Sequence, residues 1–258
     1  MNAELKKHII ELLKKGTRLD GRKATDFREV KVETGVSVNA EGSAKVQIGG
    51  TVVLAGVKLA IEKPYPDTPN SGLLAVNTEL TPMASPDFET GPPSINAIEY
   101  SRLVDRAIRE SNIIDMKKLC IEEGEKAWGV LIDIVPVNVE GNLFDAFALA
   151  ALAALKDTTF PKVVEDKIEY KEKTKEKLPV DAKKDTLSVT VFKIGDNLIV
   201  DPLIDEEKIY DARLTVATMA DGTLCALQKG GEDPLTAEEI EKMVELGIEK
   251  GKELRKAL

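Results

Sequence analysis

The sequence predicts an α+β fold in two subdomains, each a mixed sheet with helices packed on it. Strand-like and helix-like segments occur in groups, strands followed by a helix recur in both halves, and a densely charged stretch separates the halves. With 258 residues, 43% of them hydrophobic, the chain can bury a sizeable core. We expect an N-terminal helix and arm at 1–24, a first domain at 25–160, a charged connector at 161–186 and a second domain at 187–258.

The first half begins with an amphipathic helix. Residues 1–16 place lysines among apolar residues at helical spacing, and no cleavable signal pattern follows them. Residues 31–61 contain three β-rich segments separated by glycines, which predict an antiparallel meander. A further strand is expected at 73–80, and a helix from about Asn96 to Asn112.

A mostly apolar segment leads into the predicted centre of the fold. Residues 129–139 are expected to form a strand that is buried on both faces, with an edge position or a bulge at Pro136. After Gly141, an alanine-rich helix is expected from about Asn142 to Asp157. Its apolar residues run nearly all the way round, which indicates a central, buried helix.

The second half repeats the pattern of strands followed by a helix. The dense charge of 161–186 is typical of a solvated connector. Four short β segments are expected beyond it, near 187–194, 197–203, 213–219 and 223–228. A last helix begins at a capping box formed by Thr236 and Glu239 and runs to about Lys256.

Composition disfavours several classes of function. The net charge of −9 argues against a free-standing, sequence-independent nucleic-acid binder, although a few focused arginines remain compatible with RNA contact. Cys120 and Cys225 are expected to be buried thiols, and with His8 as the only histidine no zinc site is expected. No apolar run could cross a bilayer and no nucleotide-binding glycine loop is present, so we expect a cytoplasmic protein without a membrane partner, metal or cofactor.

Three arginines form the first candidate site. Spacings of four and three place Arg102, Arg106 and Arg109 on one face of the predicted helix, where guanidinium groups match phosphate geometry. The opposite face would pack into the core through Leu103, Val104, Ala107 and Ile108. On spacing alone, an ordinary salt-bridged surface helix is the stronger interpretation, with partners available at Glu99, Asp105 and Glu110.

The junction at 139–145 is the second candidate. A helix N-terminus after a glycine favours anions, because its free amides point outward. Asn142 and Asp145 can cap those amides themselves, however, and Glu140 would repel a phosphate. We therefore expect a self-capped helix rather than a phosphate site.

Clustered carboxylates at 201–213 form the third candidate. They suit a magnesium site or an acid–base pair, and they equally suit a charged loop. The spacing of these residues does not separate the alternatives.

Taken together, these motifs resemble RNase PH-type proteins from about Arg18 to the last helix. The resemblance rests on Arg18-Leu-Asp-Gly-Arg22, Phe27-Arg28, Glu33-Thr-Gly35, Gly42-Ser-Ala44, Gly50-Thr51 and the arginine helix. The long N-terminal helix, the 96–111 helix and the 140–146 junction are most similar to the non-catalytic RNase PH-like subunit of the archaeal exosome. The resemblance implies an RNase PH-like fold.

The resemblance also implies that this chain has no catalytic residues. Active members place small, hydroxyl or basic residues after the junction glycine, where this chain has Asn142 to Asp145. They also have two aspartates six residues apart, at the positions of Glu207 and Arg213. The alternative is an active phosphorolytic 3′–5′ exoribonuclease in which Glu207 replaces an aspartate. A third possibility is that the fold serves an unrelated function.

For partners, the resemblance implies a hexameric ring. Three copies of this chain would alternate with three copies of a catalytic RNase PH-like subunit, topped by RNA-binding cap subunits. Arg102 and Arg106 match positions that hold the backbone of single-stranded RNA, and Arg109 is a weaker match. Their expected role is to position the RNA.

Overall fold

The computed structural model describes residues 2–164 and 167–258, and it confirms the α+β prediction. The elements of the first half are α1 (Asn2–Lys14), β1 (Val30–Thr34), β2 (Gly42–Ile48), β3 (Thr51–Glu62), β4 (Leu73–Thr78), α2 (Ile95–Ser111), β5 (Cys120–Glu122), β6 (Lys126–Asn138) and α3 (Leu143–Asp157). Those that follow are β7 (Thr159–Val164), β8 (Lys167–Lys177), β9 (Leu187–Ile194), β10 (Asn197–Val200), α4 (Ile204–Glu207), β11 (Ala212–Thr218), β12 (Leu224–Gly231) and α5 (Ala237–Leu254). In the described part of the chain, no helix is long and apolar enough to span a membrane.

Two sheets organise the chain. The first has the order β1-β2-β3-β6-β4, with β5 paired to β6. Only the β4–β6 pair in it is parallel, and the meander predicted for β1 to β3 is confirmed. The second sheet has the order β10-β9-β11-β12 and is antiparallel throughout, so the first sheet is mixed as expected and the second is not.

Helix α3 is the shared core of both halves. It packs against β2 and β3 of the first sheet and against β9 of the second. Every residue from Asp145 to Leu155 is buried, as the all-round apolar pattern predicts. Each fully buried leucine contributes roughly 1.5–3 kcal/mol. One hydrophobic cluster therefore joins the two sheets through α3.

The last helix and the first helix cover the second sheet. The Thr236–Glu239 capping box forms as predicted, and α5 packs on β9 and β11. Helix α1 contributes Ile9 and Leu13 to a smaller cluster that includes Phe192 of β9. The N-terminal helix is therefore tied to the second half of the chain.

Strand β6 differs from its prediction. Ile132 and Ile134 are buried, but Asp133 between them is exposed, because only the face toward α3 is covered within this chain. The prediction of burial on both faces is wrong. Pro136 lies at a bulge opposite Val53, and β6 is flanked by β3 and β4, so the bulge alternative is correct and the edge alternative is not.

The charged stretch at 161–186 contains regular structure that the interpretation as a connector did not include. Strands β7 and β8 pair antiparallel, with Val163 opposite Ile168. Val163 and Val164 are exposed, so this hairpin projects into solvent. The exact domain boundaries at 160 and 187 stay a prediction.

Both cysteines are free, and both are half-buried rather than buried as predicted. Cys120 begins the short strand β5, and Cys225 lies on β12 at the edge of the second sheet. Edge positions leave one side of each thiol near solvent. The Cys225 thiol lies 3.1 Å from the Thr186 hydroxyl, and burial raises its pKa.

We predict that Gly42→Ala destabilises the protein. A Cβ at Gly42 would lie 2.2 Å from the Thr158 Oγ1 and 2.4 Å from the Ala154 carbonyl oxygen, and the carbonyl belongs to the α3 backbone and cannot move freely. Overpacking of this kind costs about 1–3 kcal/mol. Urea unfolding measures the loss.

The matched control for this prediction is Gly56→Ala on the neighbouring strand. A Cβ there would meet only the Ala40 Cβ at 3.7 Å, an ordinary contact. We expect the control to change the free energy of unfolding by less than about 0.5 kcal/mol. Equal effects of the two substitutions would contradict the close packing of β2 on α3.

Candidate functional site

Helix α2 presents the three predicted arginines on its solvent face. The Ser94 side chain accepts a hydrogen bond from the Ala97 amide at the start of the helix, and Asn112 ends it in the left-handed conformation. Arg102, Arg106 and Arg109 are all exposed. The residues predicted for the core face are all buried, namely Leu103, Val104, Ala107 and Ile108. We call the three exposed side chains the arginine row.

Only one member of the arginine row is held in a salt bridge. Arg109 donates to both carboxylate oxygens of Asp105, at 3.1 and 2.7 Å, and to the Leu74 carbonyl at 3.2 Å. Within 2–164 and 167–258, Arg102 and Arg106 have no ion pair or side-chain hydrogen bond. The interpretation as a salt-bridged surface helix therefore describes Arg109 and does not describe the other two.

The strand-to-helix junction has an unusual backbone. Gly141 has a φ of +91°, and a Cβ there would lie 2.3 Å from the Pro202 carbonyl oxygen, so only glycine fits. Asn142 follows in the left-handed conformation with a φ of 56°. These two residues bring the amino end of α3 against the segment that leads into α4.

The prediction that the junction caps itself is wrong. The Asn142 side chain makes no cap, and the Asn142 backbone N–H donates to the Glu207 Oε1 of α4 at 2.8 Å. The Asn142 Nδ2 instead donates to Asp201 at 2.9 Å and to Asp145 at 3.2 Å. Asp145 in turn accepts from the Thr190 amide of β9 at 2.8 Å. The capping group comes from the second half because Gly141 lets the two segments meet.

Asp201 is the meeting point of the junction and the N-terminal arm. It is fully buried and accepts from Arg28 at 2.9 and 2.7 Å and from Arg22 at 2.8 Å. Burial alone would raise the pKa of Asp201, but the hydrogen bonds and charge of Arg28 outweigh it and hold the pKa below its usual range. The carboxylate is therefore ionised at neutral pH.

Two further carboxylates of 201–213, Glu206 and Asp211, also have protein partners, whereas Asp205 is exposed and lies 3.8 Å from Lys208. Glu206 is buried and forms a two-pronged ion pair with Arg18. Asp211 contacts Lys6 and accepts from the Gly195 amide at 2.7 Å. Across the described residues, no group of three His, Cys, Asp or Glu side chains is arranged to hold a metal ion. Of the alternatives left open for this stretch, neither a free charged loop nor a magnesium cluster matches this arrangement.

Sequence reasoning missed the partnership between the N-terminal arginines and the acidic stretch. Arg18, Arg22 and Arg28 were visible only as parts of a family signature, about 180 residues from Asp201 and Glu206. The one available signal was the coincidence of a basic turn and an acidic turn. Nothing in the sequence pairs them, because the contact forms only when α1 and its arm fold over the second sheet.

Arg213 is buried, and its contacts explain why an arginine can stand there. Its Nη2 donates to the Glu99 carboxylate of α2 at 2.5 Å, and its guanidinium carbon lies 4.1 Å from the centre of the Phe144 ring. Phe144 itself packs edge-on against Tyr100, with ring centres 4.7 Å apart. The aromatic face and the paired carboxylate offset part of the cost of burying this cation, although its Nε and Nη1 have no hydrogen-bond partner in the described structure. We call Asn142, Phe144, Glu207 and Arg213 the filled centre.

Two carboxyls have raised pKa values, Glu207 of the filled centre and Asp145 beside it. Burial raises the pKa of Glu207 to about 7, against the opposing effects of the Asn142 amide and Arg28. Burial also raises the pKa of Asp145 to about 8, despite hydrogen bonds from the Thr190 amide and the Asn142 side chain. Both carboxyls are occupied by protein donors, so neither is presented free to a ligand.

Asp145 makes stability depend on pH in a defined direction. Its carboxyl has an ordinary pKa of 3.8 and a folded pKa of about 8. Between these values the folded protein retains a proton that the unfolded chain has released, so stability falls as the pH rises toward 8. We predict that Asp145→Asn, which cannot titrate, loses less stability over this range.

The measurement is urea unfolding of both proteins at about pH 5 and about pH 8. Each protein loses some free energy of unfolding between these two pH values. We expect the loss in the wild type to exceed that in Asp145→Asn by at least about 1.4 kcal/mol, the value of one pKa unit. Asp87→Asn, at an exposed carboxyl, is the control and should keep the wild-type dependence. If Asp145→Asn also kept it, Asp145 would be ionised in the folded protein and its raised pKa would be incorrect.

Comparison with known proteins agrees with this architecture. The model of the 3′ exoribonuclease family, domain 1, matches residues 26–161, and the model for domain 2 matches residues 186–250. A protein named exosome complex component Rrp42 from Methanothermobacter thermautotrophicus is 44% identical over 247 residues, covering 95% of this chain and 90% of the relative. The protein of the same name from Methanosarcina acetivorans is 47% identical over 254 residues, covering 98% and 93%.

Solved structures give the same assignment. A chain of the structure described as the Archaeoglobus fulgidus exosome with RNA bound to the active site superposes with a TM-score of 0.90 at 41% identity, covering 99% of this chain and 98% of that chain. A chain of an archaeal exosome core superposes with a TM-score of 0.86 at 37% identity, covering 99% and 96%. These matches run through both sheets and the helix between them, and the protein belongs to the 3′ exoribonuclease (RNase PH) family.

Proposed function

We propose that this chain is a non-catalytic, RNA-positioning subunit of a cytoplasmic exosome ring that degrades RNA from its 3′ end by phosphorolysis. Three copies would alternate with three copies of a catalytic RNase PH-like partner beneath RNA-binding cap subunits. The chain needs no cofactor of its own in this role. Arg102 and Arg106 would hold the backbone of single-stranded RNA at the shared interface.

One contrast carries the proposal: the filled centre is closed, whereas the arginine row is open. The Asn142 backbone N–H is already hydrogen-bonded to Glu207. The position that matches a family aspartate is occupied by Arg213, which lies over the Phe144 ring. Arg102 and Arg106 are exposed and have no ionic partner in the described part of the chain. Exposed guanidinium groups without carboxylates suit contacts with phosphates, which fix the register of a nucleic acid without reading its sequence.

The names of the relatives support the same assignment at a coarser level. The matching curated proteins are named as exosome components, and one matching structure is described as an exosome with RNA bound. Arg109 would contribute less than its neighbours, because its guanidinium is already shared between Asp105 and the Leu74 carbonyl.

A second function is favoured by one specific observation, the pKa of about 7 at Glu207. A carboxyl with a pKa near the working pH is suited to proton transfer, and the chain would then be an active phosphorolytic exoribonuclease in its own right. Against this alternative, the Glu207 carboxylate already accepts from the Asn142 amide, and Arg213 puts a positive charge where a carboxylate is required.

A phosphorolysis assay separates the two functions. We predict that the purified chain releases no nucleoside diphosphate from a short single-stranded RNA in the presence of inorganic phosphate, whereas the chain mixed with its catalytic partner does. Phosphate-dependent release by the chain alone, abolished by Glu207→Gln, would establish the alternative. Release that survives Glu207→Gln would point to a contaminating nuclease.

We predict that replacing Arg102 and Arg106 together by alanine weakens RNA binding by the assembled ring and lowers its phosphorolysis rate. Each lost phosphate contact should reduce the slope of log affinity against log salt concentration by about 0.7 for single-stranded RNA. The control carries the same charge change on another exposed helix face, Lys242→Ala with Lys252→Ala on α5.

The two double variants give a clear decision. If the arginine variant bound RNA with the wild-type affinity and salt dependence, the RNA-positioning role would be wrong. Equal weakening by both variants would show only a response to net charge.

A further inference from the structure

A cavity of about 320 Å³ lies at the base of the β7–β8 hairpin, away from the arginine row. Its walls come from four places in the chain: β6, the two strands of the hairpin, Pro179 just after the hairpin, and the Met116–Leu119 turn that precedes β5. The volume is at the lower end of the range for small-ligand pockets, roughly 300–1,000 Å³. No residue of the arginine row or of the filled centre lines this cavity.

Two aromatic rings line the cavity. Trp128 of β6 and Phe160 of β7 are half-buried, with ring centres 5.3 Å apart and planes inclined by 56°. Only 4% of the chain is aromatic, and Trp128 is its single tryptophan, so this pair is a local concentration. Pro161 and Pro179 complete the apolar walls. Such walls suit a flat, aromatic group.

The rim of the cavity is basic in a chain that is otherwise acidic. Lys118 and Lys177 line it together with one carboxylate, Glu176, whereas the whole chain has a net charge of −9. Lys118 forms an exposed ion pair with Asp115 at 3.5 Å. Exposed pairs of this kind are weak and exchange readily for other anions.

We propose that this cavity binds a nucleotide unit of single-stranded RNA, with the base against Trp128 and Phe160 and the phosphate near Lys118 and Lys177. Aromatic rings beside lysines are the combination by which proteins hold unpaired bases without reading sequence. A proline-rich peptide would use the rings but would gain nothing from the two lysines. The cavity adds a second RNA contact to the one proposed for α2.

The emission of Trp128 reports on the cavity directly, because the full chain contains no other tryptophan. We expect a single-stranded oligoadenylate to quench this emission at low salt, and inorganic tripolyphosphate at equal charge to quench it far less. Phe160→Leu keeps an apolar wall and removes the ring, and it should weaken binding about fivefold to a hundredfold, the range of base–aromatic stacking. Lys118→Ala with Lys177→Ala should also weaken RNA binding, and the affinity that remains should depend less steeply on salt concentration.

The lysine variant changes only exposed residues, so it tests the proposal even if Phe160→Leu does not fold. Lys242→Ala with Lys252→Ala on α5 is the charge-matched control and should leave the quenching unchanged. The proposal is overturned by the absence of quenching with RNA, by equal quenching with tripolyphosphate, by equal effects of both lysine pairs, or by quenching with a proline-rich peptide alone. Because this readout does not involve α2, it fails or succeeds independently of Arg102 and Arg106.

Discussion

The Asp201 carboxylate accepts hydrogen bonds from Arg22 of the N-terminal arm, from Arg28 just before β1, and from Asn142 at the junction before α3. It sits in the left-handed conformation with a φ of 47°, between the end of β10 and the start of α4. The guanidinium groups of Arg22 and Arg28 offset the cost of burying the Asp201 charge, and the Asp201 carboxylate in turn holds both side chains in place. Removing one partner from such a buried network generally costs about 3–5 kcal/mol. The position of α4, and with it of Glu207, follows from this anchor.

Once α4 is anchored, the filled centre forms as a set of mutually dependent contacts. Glu207 accepts from the Asn142 backbone N–H, and Phe144 on the first turn of α3 provides the ring over which Arg213 lies. Arg213 also needs the Glu99 carboxylate, because two of its guanidinium nitrogens have no hydrogen-bond partner in the described structure. An aspartate at position 213 would place a second carboxylate beside Glu99 and leave Phe144 facing it. The packing around position 213 therefore depends on several residues together.

The sequence predicts the elements of this fold far better than their contacts. Helix α3, the α5 capping box and the β1–β3 meander follow from local periodicity and capping, which depend on neighbouring residues only. The exposed position of the arginine row likewise follows from helical spacing. The capping of Asn142 by Glu207 and the anchoring of Arg28 on Asp201 join residues 65 and 173 positions apart, so spacing carries no information about them. The β7–β8 hairpin was hidden for another reason, because its charge is typical of a connector as well as of a solvent-facing strand pair.

The filled centre and the arginine row are linked through Glu99. On helix α2, Glu99 precedes Arg102 by three residues, a spacing at which a glutamate and an arginine normally pair. Arg213 draws the Glu99 carboxylate toward the second sheet, and Asp105 turns to Arg109, which leaves Arg102 without a neighbouring carboxylate partner. Glu110 stands four residues after Arg106, the less favourable order for pairing. The Arg213–Glu99 ion pair therefore has two effects: it holds Arg213 over the Phe144 ring, and it leaves Arg102 without a carboxylate partner among the described residues of α2.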